Sequence, residues 1–330
     1  MRRHLLEVEE VAALIRRGEA LLLAGDEQPL RLLPRGRWIA GTIPYFMSEL
    51  GGVVDRRRIF VEHLRDGLQC VGIRRYGEED VDRVYADLPA GAMGVMIAPG
   101  FSRVHLSFAV NAPRYEQFAA APLFGWISGV HLAELDQATP KVFDGTTGEV
   151  LEQQAVVMQI SLPPGKLAEL SILNIFEKGD GPIITFPSTG FSATSAEIGG
   201  RRLDLVDYLV ESRLDTRLPL VADYCGARLN VSFQRVDLVR REVRFFAPVF
   251  AGVKYQHARP IADYVTAFVS ELPEGLGERI AFSCNCVLNY LHSSLEGRTT
   301  GDVVGPMTFG EIAYQLLNQT LVYLYVSDSV

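Results

Sequence analysis

The chain has 330 residues, enough for one large domain or two of ordinary size, and 48% hydrophobic with 22% charged residues is ordinary globular composition. The apolar content excludes intrinsic disorder, and four cysteines in such a length exclude a disulfide scaffold. Thirty-two basic against forty acidic residues, a formal net charge of −8, argue against a dedicated nucleic-acid binder. Glu7, Glu9, Glu10, Arg16 and Arg17 interrupt the N-terminal apolar stretch before a secretory h-region forms. No run of eighteen apolar residues occurs, so no membrane-spanning helix is expected. Cys70, Cys225, Cys284 and Cys286 fit no pairing framework, which points to a reduced, cytoplasmic protein.

In chain order, Val8, Val11, Ala12, Leu14 and Ile15 have helical spacing and predict a helix over 7–18, ended by Gly18. Strands are predicted at Ala20–Ala24, Trp38–Thr42 and Arg58–His63, with a turn at Gly51-Gly52. Glu78–Ala86 reads as a helix, Gly94–Ala98 as a strand, and Arg114–Ala120 as a short helix. Phe124–Leu132 and Ala155–Ser161 are strands, the latter stopped by Pro163-Pro164-Gly165. That cluster and the polar stretch Glu177–Gly181 bracket a boundary between two halves, 1–165 and 166–330, unless the chain is one continuous domain, with Leu167–Phe176 between them as a helix or apolar connector. Beyond it lie a strand at Ile183–Phe186, a hydroxyl-rich loop from Ser188 to Ser195, and a helix at Leu203–Ser212. Leu229–Phe233 and Val243–Phe246 read as a hairpin-like pair. Ala258–Leu272 is a helix, and Arg279–Cys284 and Thr320–Val326 are strands. The class is a strand-rich mixture, α/β or α+β. Residues 37–42 (RWIAGT) echo residues 125–130 (GWISGV), which suggests related halves whose glycine turns share a pocket.

Dinucleotide, P-loop, G-x-S-x-G and H-E-x-x-H motifs are all absent, and the six histidines are scattered. Chemistry is therefore sought in smaller constellations. Cys284 and Cys286 alternate onto one strand face, and with His292 they could supply three zinc ligands. They could equally provide a nucleophile with His292 or His257 as base, or simply pack as small hydrophobes. Glu311, after a glycine turn at Gly310, could bind a ligand ammonium, act as a base, or cap a helix. The hydroxyls of 187–195 could hold an anion, and Arg228 could pair with a ligand carboxylate. The strands Thr320–Val326 and Leu229–Phe233 could instead pair with a partner protein.

Phe282-Ser283-Cys284, then Gly305-Pro-Met-Thr-Phe-Gly310-Glu311-Ile312, then Asn318-Gln319-Thr320-Leu-Val, resembles the end of the FIST domain family. Trp38–Phe46, Gly125–Val130 and the following Lys141-Val-Phe143-Asp144-Gly145 look like the glycine strand-turns of its N-terminal half. The resemblance implies a FIST-like fold and a sensory, signal-transduction module that binds a small ligand such as an amino acid. It implies ligand contacts at Glu311, Gly310, Cys284, Gly41, Thr42, Gly129 and Arg228, with no cofactor and no bound metal. Output would pass to a separate signalling protein. Asn285-Cys286-Val287 stands where the family commonly carries an arginine, whereas Gly310-Glu311-Ile312 is intact. The alternatives are a cysteine-dependent hydrolase or transferase using Cys284, Cys286 and His292, and an interaction scaffold.

Overall fold

Leu21–Gly25 and Ala92–Pro99 are buried at every position, so they run apolar without alternation. In the computed structural model, which describes residues 3–65, 67–135, 137–224, 227–272 and 280–328, each lies inside a six-stranded mixed sheet. The first sheet pairs Leu21–Gly25 in parallel with Trp38–Thr42 and antiparallel with Ile59–His63. In the second, Ala92–Pro99 runs parallel to Leu123–Ser128 and antiparallel to Ala155–Ser161, and Glu311–Ala313 extends it beyond Leu123–Ser128. A third orders Lys166–Leu173, Leu321–Asp328, Ile280–Cys286, Gly305–Thr308, Tyr45–Ser48 and Gly51–Val54. The molecule is thus strand-rich and mixed α/β. Among the described residues no helix is long and apolar enough to cross a membrane.

These three sheets enclose one core that runs from Leu5 to Leu324, so the cut at 165/166 does not coincide with a break in packing. The break comes elsewhere. Ile184, Phe186, Leu205, Leu209, Leu220, Phe245, Val249 and Tyr255 form a separate core. A six-stranded sheet from Ile184–Thr185 to Tyr255–His257 and a three-stranded sheet around Glu242–Val249 cover it. This satellite lobe is inserted between Lys166–Leu173 and the helix Tyr264–Glu271. Leu229, Phe246 and Ala247 join it to the main core, and Phe176, Val221 and Ala258 make a small separate cluster.

Most predicted strands form within a residue or two of their expected limits, and the first helix is Val8–Arg16, closed by a Glu7/Glu10 capping box. Other expectations are corrected. Lys166–Leu173 is a strand, because eight residues pair in register with Leu321–Asp328. Glu78–Ala86 keeps only a 3-10 turn at Val81–Arg83. Arg114–Ala120 is not helical, since Gln117 and Ala119 take φ near +59°. The helix lies upstream at Arg103–Asn111, capped by the Ser102 hydroxyl. Part of the hydroxyl-rich loop is strand, Gly190–Ala193. The hairpin pairs Phe233–Asp237 with Glu242–Val249. The last predicted strand, Leu321–Asp328, is paired on both sides and offers no edge to a partner. Cys225, Gly226 and Arg279 lie outside the described residues.

The two tryptophan strands sit in different sheets, yet their ends meet, because Gly129 N donates to Thr42 O at 2.7 Å. A Cβ on Gly129 would lie 2.3 Å from the Phe309 ring, and one on Gly41 would lie 2.7 Å from Ile97 Cγ2. Both glycines are present because neighbouring side chains fill the space. Gly129→Ala should therefore cost about 1–3 kcal/mol by overpacking, read as a lower urea midpoint with unchanged m value. An unchanged midpoint would contradict this packing role.

Candidate functional site

Glu311 sits on a short strand between two buried threonines and is itself fully buried. Thr320 donates its backbone N–H at 3.1 Å and its hydroxyl at 2.8 Å to Oε2. Thr308 Oγ1 approaches Oε1 at 3.3 Å, and the Cys286 thiol donates to the same carboxyl. Burial pushes the acid up to about 8, against the pull of these donors. Neutral Glu311 satisfies the geometry well. A proton on Oε1 can be donated to Thr308 Oγ1, whose own hydrogen reaches Gly310 O at 3.1 Å. The predicted ligand contact at Glu311 is therefore a structural tie with no exposed atom. Gly310 packs on Leu316, where a Cβ would fall 2.9 Å from Cδ1.

Cys284 and Cys286 do share one strand face, as period two requires, and both are fully buried. Cys284 Sγ donates to Gly125 O at 3.3 Å. Cys286 Sγ accepts from Asn318 Nδ2 at 3.7 Å and faces the backbone N–H groups of Leu288, Gln319 and Asn289. Burial, then the Glu311 charge, raises both thiols far above the usual cysteine range. His292 ends the helix that Cys286 begins, so about 9 Å of helix rise separates them. That spacing defeats both the Cys–His nucleophile and the zinc set. Among the described residues no three His, Cys, Asp or Glu side chains are grouped to hold a metal ion. His257, the other base considered, is occupied at 2.8 Å by Asp215 O.

His292 instead lines a cleft of about 350 Å³ between the satellite lobe and the main body. The lobe side contributes Asp215, Arg217 and Leu218, and the body side contributes Asp263, Tyr264, His292, Arg298 and Gln319. Arg217 makes a fork with Asp215, with Nη2 to Oδ2 at 2.7 Å, and Arg298 reaches Asp263 Oδ1 at 3.1 Å. Both pairs are solvent-exposed, so each holds its arginine weakly. Burial, then Arg217, lowers the His292 pKa below its ordinary value, leaving a neutral imidazole at pH 7. The formal charges of the two ion pairs cancel.

The cleft floor adjoins the buried tie. Tyr264 is hydrogen-bonded to the Asn285 side chain, and Gln319 precedes Thr320. Gln319 Oε1 accepts from Ser232 Oγ at 2.6 Å, its Nε2 donates to Arg217 O at 3.2 Å, and its carbonyl accepts from Asn230 Nδ2 at 3.3 Å. Arg228, predicted to meet a ligand, donates to the carbonyl of Phe176, a residue of the cleft wall. Asp223 pairs with Lys178 rather than with Arg228. In the hydroxyl-rich loop, Thr189 and Ser195 accept hydrogen bonds from Ala251 N and Arg202. Thr42 is closed by Lys141, whose N–H it accepts at 2.9 Å. Asp215, Arg217, Asp263 and Arg298 were missed from the sequence, where they are isolated polar loop residues.

Residues 6–327 match the model of a family of unknown function (DUF6976), and the chain belongs to that family. No FIST domain is found, so the FIST resemblance is overturned. The misleading motifs were short glycine turns, whose packing role at Gly310, Gly41 and Gly129 needs no shared ancestry. No curated protein and no solved structure matches the chain.

The buried acid has a stability signature. Between pH 4.5, its ordinary value, and about 8, the folded protein keeps a proton that the unfolded chain has lost. This group's contribution to stability therefore falls as pH rises through that window, by up to about 1.4 kcal/mol per unit, and levels off above it. Glu311→Gln keeps an acceptor for Thr320 and gains a donor for Thr308. Urea unfolding across pH 5–8 should show wild type losing stability relative to this variant. Parallel profiles would rule out a buried neutral carboxyl.

Proposed function

We propose that this protein binds a small polar metabolite in the cleft between the satellite lobe and the main body, and that binding rather than turnover is its activity. The observation that carries this reading is the cleft itself: a ligand-sized concavity with an exposed, exchangeable Asp–Arg pair on each wall. A ligand carboxylate can displace either aspartate from its arginine at little cost, and a ligand ammonium can then take the released aspartate. The cancelling charges suit a molecule carrying both signs, such as an amino acid. The buried, unreactive thiols and the distant His292 favour binding over cysteine catalysis. The unpaired thiols of Cys70, Cys284 and Cys286 fit a reducing, cytoplasmic setting. In a sensory role the bound state would be read by a separate protein.

A thermal-shift screen with amino acids, dicarboxylates and phosphorylated metabolites tests this. A ligand at a hundred times its Kd adds about 2.7 kcal/mol, a rise of a few degrees in Tm. Arg217→Ala or Arg298→Ala should weaken the same ligand by about ten- to a hundredfold. A clean negative across the panel, or a hit untouched by both variants, would overturn the reading.

A further inference from the structure

Beyond Pro163-Pro164-Gly165 the chain enters Lys166–Leu173, the outermost strand of the third sheet. Its inner edge pairs along all eight residues with Leu321–Asp328. Among the described residues no strand pairs with its outer edge, which leaves a row of backbone N–H and C=O groups without a ladder partner. The opposite end of the sheet, at Gly51–Val54, is covered. There Gly52 N donates to Arg298 O at 3.1 Å and Gly297 N donates to Gly52 O at 2.8 Å.

Long open edges are normally defended by charge, kinks or cover. Gln69–Tyr76, an edge of the second sheet and also eight residues long, has such defences. Arg74 and Arg75 stand on it, paired with Asp87 and Asp144, and its register shifts opposite Gln159 and Ile160. Lys166–Leu173 pairs without a shift, and its two charges are turned back onto the neighbouring strand. Lys166 Nζ lies 2.7 Å from Asp328 Oδ1, while Glu169 accepts from the Tyr325 hydroxyl at 2.9 Å and from the Ser327 hydroxyl. Leu167 and Ile172 leave 52% and 44% of their surface to solvent, one on each face of the strand. Such an edge is the kind to which another strand adds.

We propose that this edge joins a second copy of the chain, the two Lys166–Leu173 strands pairing antiparallel about a two-fold axis at Leu170, so that two six-stranded sheets become one continuous sheet. The occupant follows from self-complementarity, since a two-fold axis normal to the sheet keeps each face on its own side. Centred on Leu170, the strand matches itself over all of Leu167–Leu173. On one face Ala168 meets the partner's Ile172 and Leu170 meets the partner's Leu170, an apolar ladder without interruption. Ala168 and Leu170 already pack on the main core, so the ladder carries that apolar layer across the axis. On the other face Leu167 meets the partner's Leu173 and Glu169 meets the partner's Ser171, so no like charges are opposed. An axis at Glu169 would set two carboxylates against each other, and an axis at Ala168 or Ser171 would leave the ends of the strand unmatched. Pairing uses the open edge of this sheet in each copy, so assembly closes at two. The interface is a single ladder with few side chains, which predicts reversible association.

Sedimentation equilibrium of the full chain over about 1–200 µM should show the mass rising from one chain toward two. Ile172→Lys places a charge in the apolar ladder at an exposed position. It should hold the protein at one chain mass, with an unchanged urea midpoint showing that the fold is intact. Cysteine substitution reads the register. Across the axis the two Leu170 Cα atoms would lie about 4.5–5.5 Å apart, within disulfide reach, whereas those of the two Glu169 residues would lie about 7–8 Å apart. Leu170→Cys is therefore expected to give a disulfide-linked dimer on mild oxidation, and neither Glu169→Cys nor wild type is. A monomeric wild type with no Leu170→Cys cross-link, the result for an edge kept for a different extended chain, would overturn the proposal. A dimer unaffected by Ile172→Lys, or cross-linked through Glu169→Cys instead, would do the same.

Discussion

The carboxyl of Glu311 is the point on which two sheets agree. Its strand belongs to the sheet built on Leu123–Ser128, whereas Thr308 and Thr320 adjoin the strands of the sheet built on Ile280–Cys286. Thr308, Thr320 and the Cys286 thiol, all at the second of these sheets, converge on one acid from the first. An apolar residue there would leave Thr320 N–H buried without that acceptor, and a shorter acid would not span the gap. The interior has adopted a polar solution to a problem of sheet registration. Its cost is an ionisable group kept neutral by its surroundings.

Much of the fold was legible because local and tertiary preferences coincided. Trp38–Thr42 and Ala155–Ser161 form where the sequence predicts them, since continuous apolar runs bounded by glycine or proline suit strands covered on both faces. Lys166–Leu173 was ambiguous because its apolar residues fit either period, and pairing with Leu321–Asp328 decided it. The helix Arg103–Asn111 did leave a signal, a Ser102 cap followed by Val104 and Phe108 on one face, but its histidine and serine diluted the pattern. The polar stretch Glu177–Gly181 precedes the satellite lobe, but nothing local marks the lobe as an insertion. Its boundary becomes visible only when Ile184–Tyr255 is seen to pack on itself.

The functional residues divide along similar lines. Glu311, Cys284 and Cys286 stood out as polar or reactive groups beside or inside apolar segments, and they do converge. What sequence could not show is that they converge on one another and leave no room for a ligand. The cleft residues were invisible for the opposite reason. Asp215-Thr-Arg217 and Asp263 resemble any solvated turn, and Arg298 follows a glycine in a polar stretch. Insertion of the lobe brings them together across more than eighty residues of chain. Resemblance compounded the difficulty, because short glycine turns recur wherever backbones approach closely, and similar spacing was mistaken for kinship.

The inserted lobe has its own core, yet it is also packed on the main body, where Leu229, Phe246 and Ala247 are buried in the main core and Phe191 meets His105 edge to face. On the cleft side Gln319 adds polar contacts, donating to Arg217 O and accepting from Asn230 Nδ2. One of its chain neighbours is bonded to a buried acid and the other to a buried thiol. The solvent-facing cleft and the buried acid are thus joined through two consecutive residues, Gln319 and Thr320.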